Sequence, residues 1–123
     1  MDRKWNQDFQ AAKDSLGKYV AKLDSNSILL LEKFILECKD LNIDLVFVYT
    51  PEYIDGQRFV KNRKEVLNIF KEFSITYNLK FLDYSHDSIC LNKNLFYNAS
   101  HLNKKGADVF SKKFASDLKK IIN

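Results

Sequence analysis

The chain contains two histidines, His86 and His101, and both fall within the irregular segment from residue 84 to residue 102. Histidine is the side chain that most readily gains and loses a proton near neutral pH, so both are candidates for proton transfer. Ser85 and Asp87 flank His86 and supply the other residue types of a hydrolytic triad. Three consecutive side chains diverge, however, and cannot contact one another in the required order. We therefore expect His86 to be an ordinary surface histidine.

His101 follows Asn98 by three residues and precedes Leu102-Asn103 and Gly106-Ala107. This stretch resembles the last sequence block of SGNH/GDSL-type hydrolases. That block reads Asp-x-x-His, then Leu-Asn or Pro-Asn, then Gly-Ala or Gly-Tyr at the start of the C-terminal helix. In such a turn the acid returns to the imidazole, fixes its tautomer and leaves the other nitrogen facing the nucleophile. The resemblance implies that His101 is the catalytic histidine and that Asn98 occupies the position of the acid.

The resemblance extends backward over about residues 24–121. A helical pattern that begins near Ser27 leads to an apolar strand that ends at Pro51, as in the middle of the SGNH fold. The run Leu79–Asp83 is similar to the next strand of that fold. The resemblance therefore covers most of the chain, and the block around His101 is its most specific part.

Two features depart from the family pattern. The Gly-Asp-Ser block that carries the nucleophilic serine is absent from the sequence, as is any Gly-x-Ser, and no oxyanion block is recognisable. In addition, the acid position holds Asn98, whose amide has no charge with which to stabilise an imidazolium. In a serine protease, the change from Asp to Asn at the equivalent role lowers turnover about 10⁴-fold.

These features leave three hypotheses open. In the first, the chain is the C-terminal portion of an SGNH-like esterase or acyltransferase, and its serine lies upstream, outside this sequence. In the second, it is a complete but degenerate domain that binds a protein or a glycan without catalysis. In the third, it is an unrelated α/β module in which Asn98 and His101 belong only to a helix cap. We expect the chain alone to be inactive, or nearly so, on simple esters.

The elements that must position these residues follow from the apolar periodicity. Apolar residues spaced three and four apart predict amphipathic helices, and continuous apolar runs predict strands that are covered on both faces. Asn103 is the expected N-cap of the last helix, and Asn42 is expected to end the second helix. The predicted elements are helices over residues 3–22, 27–41, 58–74 and 104–121 and strands over residues 43–49 and 79–83, with a loop over residues 52–57 that contains Gly56.

Strands that alternate with helices predict an α/β fold with right-handed crossovers and parallel strands. We expect one domain over residues 1–123, with an N-terminal helix at 3–22 and an SGNH-like portion at 24–121. The expected architecture is a flavodoxin-like three-layer parallel sheet, small or incomplete, with two to three strands. A third edge strand could lie in the first half of the 84–102 segment. Alternatively, a partner chain could complete the sheet, and we expect self-association because exposed sheet edges are rarely left open.

Composition excludes several classes of function. Lys and Arg number 20 and Asp and Glu 16, which gives a mild net charge of +4. The lysines are scattered over helix faces rather than forming a basic stripe with aromatic residues, so no nucleic-acid partner is expected. No apolar run approaches the roughly 18 residues of a membrane span. Cys38 and Cys90 lack metal-ligand spacing, so neither a metal nor another cofactor is expected.

The remaining expectations concern location and substrate. The chain as given is expected to be soluble, and its content of lysine and asparagine is typical of a bacterial protein. If an upstream signal or anchor has been removed, the native location would be the cell envelope or outside the cytoplasm. The family resemblance implies an acyl ester as substrate, including an ester on a cell-surface glycan.

Overall fold

The computed structural model describes residues 9–11, 13 and 18–122. The described chain is mixed α/β. In chain order, its elements are α1 (Ser25–Asp40), β1 (Val46–Tyr49), α2 (Ile54–Phe59), α3 (Arg63–Thr76), β2 (Lys80–Asp83), two short 3₁₀ helices (Ser88–Leu91 and Lys93–Leu95), β3 (Phe96–Asn98), β4 (His101–Leu102) and α4 (Lys104–Ile121).

The chain divides into two compact units. The first, which we call the sheet unit, comprises Tyr19–Tyr49 and Val60–Tyr84 and contains α1, β1, α3 and β2. The second, which we call the histidine unit, comprises the described parts of Met1–Lys18, Thr50–Phe59 and Ser85–Asn123. It contains α2, the two 3₁₀ helices, β3, β4 and α4.

In the sheet unit, β1 and β2 pair in parallel, with Val46 opposite Lys80 and Tyr49 opposite Asp83. The predicted parallel pairing of the two strands is therefore confirmed, although each strand begins later than predicted. Among the described residues this sheet has two strands. The coarse α/β class holds, and the flavodoxin-like architecture stays a prediction.

Aromatic contacts of Phe47 join the two strands to each other and to α3. The ring of Phe47 on β1 meets the ring of Phe70 on α3 edge-on, with centroids 5.7 Å apart. It meets Phe81 on β2 in the same manner at 6.2 Å. Edge-to-face contacts of this kind stabilise a core beyond the burial of area alone, by about 0.5–1.5 kcal/mol each.

Both strands of the sheet unit are entered through the same kind of turn. Asn42 ends α1 with a φ of 56°, and Asn78 ends α3 with a φ of 53°. After the first turn the amide of Ile43 donates to Cys38 O at 2.8 Å, and after the second the amide of Leu79 donates to Ser74 O at 2.8 Å. This is the Schellman pattern, which favours glycine or asparagine at the left-handed position. Asn42 thus ends its helix as the sequence predicts.

The predicted helix over residues 3–22 lies largely outside the described residues. Of the described ones, residues 9–11 and 13 are helical, but residues 19–22 are not, so the prediction is wrong at its C-terminal end. There the side chain of Asn62 bonds to both the amide and the carbonyl of Ala21, at 2.7 and 2.8 Å. Tyr19 pairs with Val60 in a single parallel bridge. These contacts engage backbone amide and carbonyl groups that would otherwise form hydrogen bonds within a helix.

The region from residue 54 to residue 76 also differs from the prediction. Instead of one helix over 58–74 preceded by a loop, the chain forms α2 and α3, with a break at residues 60–62. Of the two ways considered to complete the sheet, a third strand in the first half of the 84–102 segment is absent from residues 84–95 as the structure describes them, and two 3₁₀ helices form there instead. The side chains of Asp87 and Asn92 cap these turns by accepting from the amides of Ile89 and Asn94 at 2.9 and 3.1 Å. Such local bonds compete with strand pairing.

Within the described residues, no helix combines the length and the apolar composition of a membrane-spanning segment. The last helix, α4, has the bounds that the sequence predicts, and Asn103 caps it as expected.

Candidate functional site

Asn98 and His101, the two candidate catalytic residues, contact each other. The Nδ1 atom of His101 lies 2.9 Å from Oδ1 of Asn98. The same Oδ1 accepts the backbone amide of Ser100 at 3.0 Å. Because an amide N–H can only donate, it identifies the oxygen of Asn98 as the atom in this position. Nδ1 of the imidazole must then donate to Asn98, and in the neutral imidazole the lone pair lies on Nε2.

This tautomer is the one that a general base needs. A histidine that donates from Nδ1 can accept a proton at Nε2, provided that a reacting hydroxyl reaches that atom. The His101 side chain is exposed and Asn98 is half-buried. The imidazole is therefore both oriented and open to a molecule from solution.

A short antiparallel hairpin holds the pair. β3 and β4 pair with Phe96 opposite Leu102 and Asn98 opposite His101, with an irregularity between Phe96 and Asn98. Phe96 is only 1% exposed and Ala99 only 8%, so two side chains of the hairpin anchor it in the core of the histidine unit. A bulge of this kind re-aims the following side chain. Here it accompanies the turn that brings Asn98 back onto the imidazole.

The segment that contains α2 supports the hairpin turn from one side. The amide of Tyr53 donates to Ala99 O at 3.1 Å, and the Tyr53 ring packs on that of Phe96 with centroids 5.7 Å apart. Gly56 lies so close to the turn that a Cβ built on it would be 2.6 Å from Ala99 O. Glycine is thus the one residue type that lets α2 approach this carbonyl closely.

The N-terminus of α4 supports the hairpin from another side. Asn103 accepts the amide of Gly106 at 2.9 Å through Oδ1 and donates to Asn94 O at 2.7 Å through Nδ2. Its own amide donates to Leu95 O at 2.9 Å. Leu95 O is also the atom that a Cβ on Gly106 would strike. These three hydrogen bonds therefore fix Asn103, which lies two positions after His101.

A buried polar cluster ties the α2 segment to the start of the loop at residue 85. Gln57 is 6% exposed, and its Nε2 donates to the carbonyls of Glu52 and Ser85, both at 2.9 Å. Cys90 is 1% exposed and belongs to the same cluster. Burial raises the pKa of its thiol, and the hydrogen bonds from the Glu52 amide and Gln57 only partly oppose this rise. Cys90 is thus closed to solvent, and its raised pKa disfavours the thiolate that a nucleophile needs.

The consecutive residues Ser85, His86 and Asp87 have separate environments, as expected. Ser85 is 2% exposed, His86 is exposed, and Asp87 pairs with Lys113 of α4. Desolvation acts to raise the pKa of Asp87, but the hydrogen bond from Lys113, the Ile89 amide and the lysine charge outweigh it and lower that pKa. Asp87 is therefore a structural carboxylate that joins the first 3₁₀ helix to α4.

Sequence reasoning located Asn98, His101 and Asn103 but missed the support from Tyr53, Gly56 and Gln57. The only signal of this support in the sequence was the isolated Gly56 next to Gln57, and the prediction placed both residues in a loop. In the part of the chain that the structure describes, no group of three or more His, Cys, Asp or Glu side chains could hold a metal ion.

Comparison of the chain with protein-family models, with curated proteins and with solved structures found no match.

Proposed function

We propose that this chain carries the histidine half of an SGNH-type serine esterase or acyltransferase site. The observation that carries the proposal is the contact between His101 Nδ1 and Asn98 Oδ1, with the amide of Ser100 fixing the oxygen. The same proposal places β1 and β2 in a flavodoxin-like parallel sheet with further strands outside the described residues.

In the proposed reaction, Nε2 of His101 takes the proton of a serine hydroxyl as that oxygen attacks the carbonyl carbon of an acyl ester. The tetrahedral intermediate collapses when the imidazolium returns the proton to the leaving alcohol oxygen. The acyl-serine then reacts with water in an esterase, or with an acceptor hydroxyl in an acyltransferase, by the same proton transfers. The substrate class is an acyl ester, including one carried on a cell-surface glycan.

Asn98 would perform one of the two functions of a carboxylate in this reaction, namely the selection of the histidine tautomer. The roughly 10⁴-fold loss caused by an Asp-to-Asn change in a serine protease arises largely because the amide favours the wrong tautomer of the histidine. Here the Ser100 amide holds Oδ1 toward the imidazole, so the correct tautomer is kept. The missing contribution is the negative charge that would stabilise the imidazolium.

The nucleophile is the component that this sequence does not supply. No Gly-Asp-Ser or Gly-x-Ser occurs in the 123 residues. Ser85, although it is in the same unit as His101, is 2% exposed and so is closed to an ester from solution. We infer that the serine comes from sequence outside these residues, either on the same polypeptide or on a partner chain.

The uncharged Asn98 favours a second candidate function. A domain that no longer needs to stabilise an imidazolium would tolerate an amide at this position, and the hairpin would then form part of a non-catalytic site for a protein or a glycan. In this case the contact between Asn98 and His101 only shapes the surface.

Labelling of the native protein with a fluorophosphonate probe distinguishes the two functions. Antibodies against this chain would isolate the protein from its source cells. We expect the probe to modify a serine outside the 123 residues and expect labelling to disappear in cells that carry His101→Ala. The isolated chain should be unlabelled and should not hydrolyse nitrophenyl acetate.

A native protein that resists the probe while it retains a partner or glycan would support the second function and overturn the first. Turnover by the isolated chain that is lost in both His101→Ala and a single serine variant would show that the nucleophile lies within these residues. An unchanged level of labelling in His101→Ala would contradict the role of the histidine.

A further inference from the structure

Helix α1 leaves four large apolar side chains exposed to solvent. Of its 16 residues only Ile35 and Cys38 are buried. Leu30 and Phe34 are 66% and 50% exposed, and Leu41, which caps the helix, is 70% exposed. Large apolar side chains clustered on one element mark an interaction surface more often than they mark a free surface.

Leu30 and Phe34 form a line with Leu41 along one flank of the helix, whereas Leu29 and Leu36, which are also exposed, lie off that line. Leu30, Phe34 and Leu41 are four and seven residues apart, and Glu37 completes the line between the last two. Such spacing places side chains in a single row on an α-helix. Lys33, also exposed, lies one turn before Glu37 beside this row. We call the five residues the α1 seam.

We propose that the α1 seam binds the α1 seam of a second copy of this chain, with the two helices antiparallel. A two-fold axis midway between residues 35 and 36 places Leu30 of each copy opposite Leu41 of the other. Phe34 of each copy then faces the other helix beside the axis, next to Glu37. The same surface patch on both copies is thus complementary to itself, as a two-fold interface requires.

The charges of the α1 seam favour a second copy of the chain as its binding partner. In the antiparallel arrangement, Lys33 of one copy lies at nearly the same height as Glu37 of the other and on the same side of the row. Each Glu37 therefore stands between the Lys33 of its own helix and the Lys33 of the second copy. A lipid surface would instead have to desolvate these charges without compensation. The opposite charges also select the antiparallel register over a shifted one.

The available area predicts a weak dimer. The exposed parts of the three apolar side chains, together with the stems of Lys33 and Glu37, provide roughly 500 Å² per copy. A standard stable interface buries about 800 Å² per partner, and smaller ones belong to transient complexes. The dimer should therefore form and dissociate reversibly, with a dissociation constant in the micromolar range.

Sedimentation velocity over a range of concentrations tests the proposal on the whole chain. We expect the wild-type chain to shift from monomer to dimer as the concentration rises through the micromolar range. Phe34→Asp should be monomeric throughout. Lys33→Glu should weaken the dimer about tenfold because it sets like charges against Glu37. The double variant Lys33→Glu with Glu37→Lys should restore it.

Lys39→Glu is the matched control, since Lys39 is exposed on the same helix but away from the seam. It should leave the association unchanged. Circular dichroism checks that each variant is folded, and the charge exchange remains decisive even if Phe34→Asp unfolds, because positions 33 and 37 are exposed. A wild-type chain that stays monomeric at every concentration overturns the proposal. So does a double variant that associates as weakly as Lys33→Glu.

Discussion

Substitution of Gly56 by alanine should displace the hairpin turn that holds His101. The added Cβ would lie 2.6 Å from Ala99 O and 3.1 Å from Ala99 Cβ. The first of these atoms belongs to the backbone and cannot rotate away as a flexible side chain could. Either α2 or the turn at residues 98–101 must therefore shift.

The magnitude follows from three contributions. Overpacking of a filled site costs about 1–3 kcal/mol. A shift that breaks the bond from the Tyr53 amide to Ala99 O removes about 1 kcal/mol more. Alanine in a helix gains at most about 1 kcal/mol over glycine. The net loss should thus be about 1–3 kcal/mol in the free energy of unfolding, and the melting temperature should fall by roughly 4–12 °C.

Two measurements check this prediction. Urea unfolding followed by circular dichroism gives the free energy, with Arg58→Ala as the control, because Arg58 is exposed on the same short helix. Nuclear magnetic resonance of the Ser100 amide and the His101 imidazole reports the turn itself. A Gly56→Ala chain as stable as the wild type, with these resonances unmoved, would refute the close packing of α2 on Ala99.

Three further substitutions test the surrounding supports. Gln57→Leu should lower the free energy of unfolding by about 2–4 kcal/mol in urea titration, because the carbonyls of Glu52 and Ser85 lose a buried donor; an effect near zero would contradict the buried cluster. Asn103→Ala should cost about 1 kcal/mol by the same assay and should fray the start of α4, which hydrogen exchange would detect. For Asp87, the folded state has the lower pKa, so its stabilising contribution is present above the unfolded value near 3.8 and is lost as pH falls through the folded value. In Asp87→Asn, the free energy of unfolding should therefore fall less steeply as the pH decreases in the acid range. The same pH dependence in Asp87→Asn and the wild type would refute the pairing with Lys113.

The parts of the fold that the sequence predicts well are those set by local patterns. The apolar strands, the asparagine that ends α1 and the Asn103 cap all depend on residues within a few positions of one another, and the structure contains each of them. The short spacing from Asn98 to His101 belongs to the same class, and the two side chains meet.

The parts that were missed depend on residues distant in sequence. The non-helical course of residues 19–22 depends on Asn62, which is 41 positions from Ala21. The α2 helix forms where Gly56 meets Ala99 and Gln57 reaches Ser85, contacts that no periodicity within residues 52–59 can reveal. The Asx turns at Asp87 and Asn92 form in place of a third strand in this segment. Either polar residue alone would also be compatible with the end of a strand.

Each unit of the chain contains one buried free cysteine, Cys38 in the sheet unit and Cys90 in the histidine unit. A buried thiol is alkylated only when the structure around it opens, so its labelling rate measures the free energy of that opening. The wild-type chain therefore carries two native probes of local unfolding at known positions. Timed alkylation followed by peptide mass spectrometry reads both in one sample, and a substitution near His101 can be assigned to the unit whose thiol becomes more reactive.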